Sequence, residues 1–533
     1  MSFLLWHYLT ESVARYPERP AVACRDTVLT YAELDRLSLR IARALASAGI
    51  GRGDRVGLCL PKSERAVAAM LGVLRAGAAY VPVDPGAPAR RGAFILRDCA
   101  VRALVTTTRK LKDYREEPGV LESLALILLA DDQAAHADTH GVTTLGWTDL
   151  PEPGALKAAT LGIETDPAYL LYTSGSTGNP KGVILSHRHA RTFVDWGRTT
   201  FDVGPDDRLS NHAPHHFDLS VFDIYVALAA GACVVIVTDD VAAFPVEMAR
   251  WIGRLRITVW YSVPSALVRM LLHGRLADQQ CPELRTVLFA GEVFPMKYLR
   301  QVMAALPTAA FANLYGPTET NVCTWYPVPA ELPADATGIP IGFACANSDV
   351  FALDDDGRLV QPGGTGELYV RGPTVLLGYW GLPDRTRAAL VPNPLQPAYY
   401  EPAYRTGDIV RLGEDDLYWF AGRRDHMVKS RGYRIELGEV EQTMYQHPAV
   451  REAAVLALPD DEVGARLHAF VAPVVGVSIE ARDIHSFCSS RLPRFMVPES
   501  FTVRDDLPKT STGKIDRVAL MNHLSAPPQE ASP

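Results

Sequence analysis

No stretch of this chain is apolar for long enough to cross a bilayer. The longest apolar run, from Ile224 to Val237, contains Gly231 and falls short of the ~20 residues that a spanning helix needs. No secretion leader is expected either, because Met1 to Thr10 is apolar but has no basic segment and meets Glu11 at once. Positive charge is in deficit: 53 Lys+Arg against 61 Asp+Glu give a net charge of -8, with the two signs interleaved, which argues against wholesale binding of nucleic acid. The 8 cysteines (Cys24, Cys59, Cys99, Cys233, Cys281, Cys323, Cys345 and Cys488) include no C-x-x-C pair, so no zinc framework is visible and the thiols read as buried and reduced. Internal repeats are lacking, and so is the usual nucleotide-loop spacing G-x-x-x-x-G-K-[ST]. What remains is a cytoplasmic globular protein that engages neither membrane nor nucleic acid. Its 533 residues are enough for two or more domains with substantial cores.

The first half alternates strand and helix patterns. Ala21-Val22-Ala23 reads as a strand, and Thr30-Tyr31-Ala32-Glu33 as a capping box opening a helix with Leu34, Leu37, Ile41 and Leu45 on one face. A strand at 55–60, an alanine-rich helix at 64–76 and a strand at 80–83, stopped by Asp84-Pro85, continue the rhythm. The same alternation returns at 234–237, 246–254 and 287–289, and argues for stacked βαβ units with parallel sheets. Residues 113–160 carry no pattern that assigns them. After Asn347, short strands with glycine turns (350–353, Asp356-Gly357, 366–371) indicate a small β subdomain, and a compact α+β unit with strands near 455–458 and 467–473 follows Gly422. The fold class expected is therefore α/β. It has a large N-terminal domain (1–424) of stacked parallel sheets, helices and a β subdomain, a small mobile α+β C-terminal domain (425–525), and a disordered tail (526–533).

Five motifs carry the chemistry. The first is Tyr172-Thr173-Ser174-Gly175-Ser176-Thr177-Gly178-Asn179-Pro180-Lys181-Gly182, a loop of small donors with one ammonium that suits phosphate oxygens. The others are Asn313-Leu314-Tyr315-Gly316-Pro317-Thr318-Glu319; Tyr404-Arg405-Thr406-Gly407-Asp408; Gly422-Arg423-Arg424-Asp425 running into Lys429–Glu436; and Leu507-Pro508-Lys509-Thr510-Ser511-Thr512-Gly513-Lys514. In these motifs and in their order, over nearly its whole length, the chain resembles the adenylate-forming superfamily: acyl- and aryl-CoA synthetases, firefly-type luciferases and the amino-acid adenylation domains of nonribosomal peptide synthesis.

The resemblance implies ATP and Mg²⁺ as the agents of catalysis, and a role for each motif. A carboxylate must attack the α-phosphorus of ATP, so cations and oriented N–H groups must neutralise the charge that develops. Thr173, Ser174, Gly175, Ser176, Thr177, Gly178 and Lys181 would hold the β- and γ-phosphates. Thr318 would reach the α-phosphate, and Glu319 would be the oxygen ligand of Mg²⁺. Tyr315 would stack on adenine beside Gly316, with the Asn313 amide at its edge. Asp408 would accept the ribose hydroxyls, with Arg423 assisting. Lys514 would bridge the carboxylate and the α-phosphate. Asp425 matches the hinge about which the small domain turns before a thiol attacks the adenylate. Lys509 is read as a surface residue.

Phe217-Asp218-Leu219-Ser220 matches the amino-acid branch, in which the aspartate pairs with the substrate's α-ammonium; on its own, Asp218 could instead cap the helix starting near Ser220. The corresponding pocket is Asp218, Leu219, Phe222, Tyr261, Leu288, Ala290, Leu314, Val322 and Cys323, closed by Lys514. This lining resembles that of stand-alone prolyl adenylating enzymes, which load L-proline onto a carrier protein before its oxidation to a pyrrole. Phe222 departs from it, since leucine is usual there, and leaves room for a related imino acid or a small aliphatic amino acid. The chain ends soon after Lys514, so a peptidyl carrier protein with its phosphopantetheine arm is expected to act in trans. The Arg423–Arg434 cluster either steers such an acidic partner or serves ATP alone. The alternatives are an acid–CoA ligase and a nucleotide sensor without turnover.

Overall fold

Short runs of aliphatic and β-branched residues with no polar alternation form the centre of the fold. Cys233–Ile236, Thr286–Ala290, Ala103–Thr106 and Leu126–Leu129 are buried at every position, as expected of strands whose two faces are both covered. A computed structural model describes residues 3–132, 139, 141–153, 162–175, 179–424, 427–509 and 515–525. The chain divides into two units. One comprises Met1–Pro85, Gly92–Thr173 and Lys181–Arg424; the other comprises Gly86–Arg91, Ser174–Pro180 and Asp425–Pro533.

In the first unit, a nine-stranded sheet runs in the order Phe343–Ala344, Thr324–Val328, Ala310–Tyr315, Thr286–Ala290, Val259–Ser262, Arg208–Asn211, Cys233–Ile236, Pro20–Cys24, Thr27–Thr30. Its six central strands are parallel and the remaining three antiparallel. An eight-stranded sheet runs Gly378–Tyr379, Lys181–Ser186, Pro167–Thr173, Ala79–Pro82, Arg55–Leu58, Ala103–Thr106, Leu126–Leu129, Thr143–Gly146. The pleat sorts side chains between cores. Tyr261, Leu288, Ala290, Ala312 and Leu314 from the first sheet join Tyr80, Val105, Tyr169 and Val183 from the second in one large core. Trp260, Val287, Phe289 and Phe311 point the other way, onto the helices Pro245–Arg254, Pro264–His273 and Met296–Ala305. Ala79, Val81, Leu104 and Ile127 point outward from the second sheet, onto the helix Ala89–Asp98. The alternation therefore builds a stack of two sheets with helices between and outside them. A five-stranded antiparallel sheet, from Asp349–Leu353 to Tyr418–Arg423, forms the β subdomain.

The expected capping box closes the start of Tyr31–Ser47: the Glu33 N–H donates to Thr30 Oγ1 at 3.2 Å, and the Thr30 N–H to the Glu33 carboxylate at 2.8 Å. Two strands, Leu126–Leu129 and Thr143–Gly146, fall within residues 113–160, where the sequence pattern assigned nothing. Each is only four residues long, too short for a period to register.

The second unit holds a two-stranded sheet (Met427–Ser430 with Tyr433–Glu436) and a three-stranded one (Val450–Asp460, Gly464–Pro473, Ser500–Val503), with helices Leu437–Tyr445, Ala481–Ser489 and Arg517–Ser525. Its core gathers Ile435, Val440, Met444, Val455, Leu467, Ile484 and Met496. Among the described residues, no helix is long and apolar enough to cross a membrane.

Candidate active site

The glycine- and serine-rich segment is flanked by two strands that pair antiparallel. Pro167–Thr173 leads in, Lys181–Ser186 leads out, and Thr173 pairs with Lys181 across the base. Thr173 Oγ1 is buried and makes no hydrogen bond among the described residues, so a donor hydroxyl is left at the neck of the loop. Lys181 is buried too. Its ammonium lies 3.1 Å from Glu319 Oε1, donates to the Tyr379 hydroxyl at 3.2 Å and sits 4.3 Å above that ring. The Tyr379 hydroxyl donates to the same Glu319 oxygen at 2.8 Å, and Glu319 is 0% exposed.

Glu319 reaches this position through a tight turn after the strand Ala310–Tyr315. The Thr320 N–H donates to the Pro317 carbonyl at 2.9 Å, and Asn321 takes up a left-handed conformation, with φ 57°. A Cβ on Gly316 would lie 1.7 Å from the Asn321 carbonyl oxygen, so only glycine lets the turn close. Thr318 is half-buried on the turn. The Asn313 amide donates to the Pro340 carbonyl at 2.9 Å. The Tyr315 hydroxyl donates to Asp408, which also pairs with Arg423, its cross-strand neighbour. Each oxygen of the carboxylate assigned to ribose therefore already accepts one donor and keeps a second lone pair.

The apolar residues assigned to the pocket share one core. Leu219, Phe222, Tyr261, Leu288, Ala290, Leu314, Val322 and Cys323 all belong to the core between the two sheets. Tyr261 pairs with Leu288, and Ala290 with Leu314, on adjacent parallel strands. Cys323 donates its thiol to the Tyr315 carbonyl at 3.6 Å, and burial pushes that thiol up to about 12. Asp218 stands at the start of the short helix Leu219–Val221 but makes no capping hydrogen bond. Burial, reinforced by the Asp218 charge, holds the Tyr261 hydroxyl well above the usual tyrosine range, and Tyr169 is raised by burial, Tyr80 and Asp218.

In the second unit, the Ser174 hydroxyl donates to the Arg434 carbonyl at 2.8 Å and the Gly175 N–H to Glu439 at 3.1 Å. Ser176, Thr177, Gly178, Asp425, Lys514 and the tail 526–533 lie outside the described residues. Lys509, read as a surface residue, pairs with Glu452.

The sequence profile of the AMP-binding enzymes matches residues 9–380, and that of the AMP-binding enzyme C-terminal domain matches residues 439–514. The chain belongs to the AMP-binding enzymes. Among relatives, it is 41% identical over 523 residues to an L-proline–[L-prolyl-carrier protein] ligase of Pseudomonas fluorescens, covering 98% of this chain and 99% of that one. It is 39% identical to a Streptomyces coelicolor protein of the same name, covering 98% and 97%. The crystal structure of IdnL1 superposes with a TM-score of 0.80 at 31% identity, over 95% of this chain and 99% of that one. The amide bond synthetase McbA from Marinactinospora thermotolerans has a TM-score of 0.84 at 24% identity, over 97% and 99%, a likeness of fold.

Some residues of this AMP-binding enzyme's site escape sequence reasoning. Tyr379 is one: the Gly378-Tyr379 pair forms a two-residue strand, and only folding brings it onto Glu319 and Lys181. Another group is the polar cluster around the pocket's π-helical turn Phe222–Val226. Asp223 accepts from the Asn211 amide at 3.2 Å, His215 Nε2 lies 3.0 Å from Asn211 Oδ1, and Lys62 donates to the His212 carbonyl at 2.7 Å. Burial pushes Lys62 down to about 8 and Asp223 well above the carboxylate range. An Asp within an apolar run was the one available signal.

Proposed function

We propose that this enzyme activates L-proline with ATP as prolyl-AMP and passes the prolyl group to the phosphopantetheine thiol of a separate carrier protein. One observation carries the reading: eight uncharged side chains share the core between the two sheets, with Tyr261, Leu288, Ala290 and Leu314 on adjacent strands, and the Asp218 charge acts on Tyr261 among them. A zwitterionic amino acid suits that arrangement, with an ammonium for the carboxylate and an apolar ring for the walls. The likeness to two ligases of that name supports proline.

In the first step, a proline carboxylate oxygen forms a bond to the α-phosphorus as the bond from that phosphorus to the bridging oxygen of pyrophosphate breaks. Asp218 holds the α-ammonium, so the carboxylate is oriented before it reacts. Lys181 and Thr173 Oγ1 supply donors to the departing phosphates, and Thr318 a hydroxyl to the α-phosphate. Asp408, already fixed by Tyr315 and Arg423, holds the ribose. Lys514 supplies the cation where the two anions meet.

The residues also fit Mg²⁺. Among the described residues, no group of three or more His, Cys, Asp or Glu side chains is placed to hold a metal. Glu319 offers a buried carboxylate, which suits an ion usually held by one or two carboxylates and phosphate oxygens. When bound, the ion would neutralise phosphate charge. In the second step the carrier's thiol, having lost its proton, attacks the prolyl carbonyl carbon and AMP leaves.

Loading tests this step. Purified enzyme with ATP, Mg²⁺ and labelled proline should transfer label to a phosphopantetheinylated carrier, in a form released by hydroxylamine. Transfer to free CoA in preference to the carrier would contradict the proposal.

A further inference from the structure

Phe222 is 0% exposed, and its ring is enclosed by aromatic neighbours. Ring centroids lie 6.1 Å away for Phe193, 5.9 Å for Phe201 and 5.4 Å for Tyr261. The remaining side is the helix His187–Thr200, where Gly197 stands one turn after Phe193 on the same face. A Cβ on Gly197 would lie 2.8 Å from Phe222 Cε2 and 3.1 Å from Cδ2. Gly197 is not among the residues with positive φ, so its backbone does not call for glycine. A helix interior disfavours glycine by ~1 kcal/mol relative to alanine. Packing is the reason that remains: the missing side chain lets the edge of Phe222 rest on the helix backbone.

We infer that Gly197 is a specificity-positioning residue, which lets the Phe222 ring recede from the amino-acid pocket so that Tyr261 and Leu288 set the space open to the substrate's ring. This rests on the pocket assignment above. A leucine in place of Phe222 would have no far ring edge to accommodate. With phenylalanine, the recess over Gly197 takes up the extra length. An added methyl at 197 pushes the ring off the helix, and because Phe193 and Phe201 close the flanks, the ring moves toward Tyr261 and the bound amino acid.

The test is a double-mutant cycle with Gly197→Ala, Phe222→Leu and the pair. It reads KM and kcat of amino-acid-dependent pyrophosphate exchange for proline, its four-membered analogue azetidine-2-carboxylate and its six-membered analogue pipecolate, with thermal midpoints alongside. Gly197→Ala should raise KM for proline about 10-fold with kcat within about 3-fold, the pattern of lost ground-state fit. KM for pipecolate should rise more, and that for azetidine-2-carboxylate less. In the Phe222→Leu background, the same substitution should change KM for proline by less than about 3-fold. An equal KM rise in both backgrounds, a rise independent of ring size, or no rise overturns the proposal. If Gly197→Ala alone does not fold, the double variant must fold and match the KM of Phe222→Leu; if it does not fold either, the role is structural and the proposal fails. Should the wild-type enzyme prefer another amino acid, the proline assignment fails separately, and the same cycle run with that amino acid and its larger and smaller homologues decides the role of Gly197.

Discussion

Asp218→Ala should lower proline-dependent pyrophosphate exchange by roughly 10²- to 10³-fold, because truncating one partner of a desolvated charge pair costs about 2–5 kcal/mol and each 1.4 kcal/mol is tenfold. The structure sets the terms of this experiment. Asp218 makes no capping bond to the helix Leu219–Val221, so the substitution removes no helix cap. Apart from Asp218 and Lys514, the side chains assigned to the pocket are uncharged, so Asp218 is the anion among them that can face the substrate's ammonium. Asp218→Asn separates charge from hydrogen bonding: it keeps the shape and should recover only part of the loss. A full rate in Asp218→Ala would mean that the ammonium is held elsewhere, and the amino-acid assignment of this pocket would go with it.

Glu319→Gln is expected to have the second large effect, and on two separate readouts. Exchange should fall about 10²-fold or more, with saturation shifted to higher Mg²⁺, since an amide oxygen is a poor substitute for a carboxylate beside a hard cation. Stability should fall as well. Lys181 is buried and has its ammonium 3.1 Å from Glu319, and removing one partner of a buried pair typically costs about 3–5 kcal/mol through the charge left behind. Adding Lys181→Met should therefore restore the denaturant midpoint while leaving exchange low. If Glu319→Gln kept both exchange and its Mg²⁺ dependence, the carboxylate would be a structural partner of Lys181 and Tyr379 only.

Much of the site was legible because its residues are contiguous in the chain. The segments 172–182, Asn313–Glu319 and Arg405–Asp408 are each continuous motifs; Arg405–Asp408 lies within the strand Pro402–Leu412, and Gly316 is required by the turn that follows Ala310–Tyr315. The strands read from apolar runs, such as Cys233–Ile236 and Thr286–Ala290, are those buried on both faces. What stayed hidden depends on distant contacts. Nothing in Gly378-Tyr379 announces a bond to Glu319, 60 residues away in sequence. Nothing in the helix His187–Thr200 shows that Gly197 faces Phe222. Nothing in Tyr404–Asp408 shows that Asp408 accepts from the Tyr315 hydroxyl, 93 residues away in sequence. Sequence alone could also not reveal that Pro167–Thr173 and Lys181–Ser186 pair antiparallel, because the pairing depends on register.

Return of labelled pyrophosphate into ATP, measured with the purified wild-type protein against each proteinogenic amino acid, acetate, benzoate and no addition, tests the core of this account most directly. Proline should stimulate exchange well above every other compound, with small apolar amino acids trailing by one to two orders of magnitude, about what a methylene or two is worth in an apolar pocket. Exchange stimulated by acetate or benzoate, or by no amino acid at all, would contradict it.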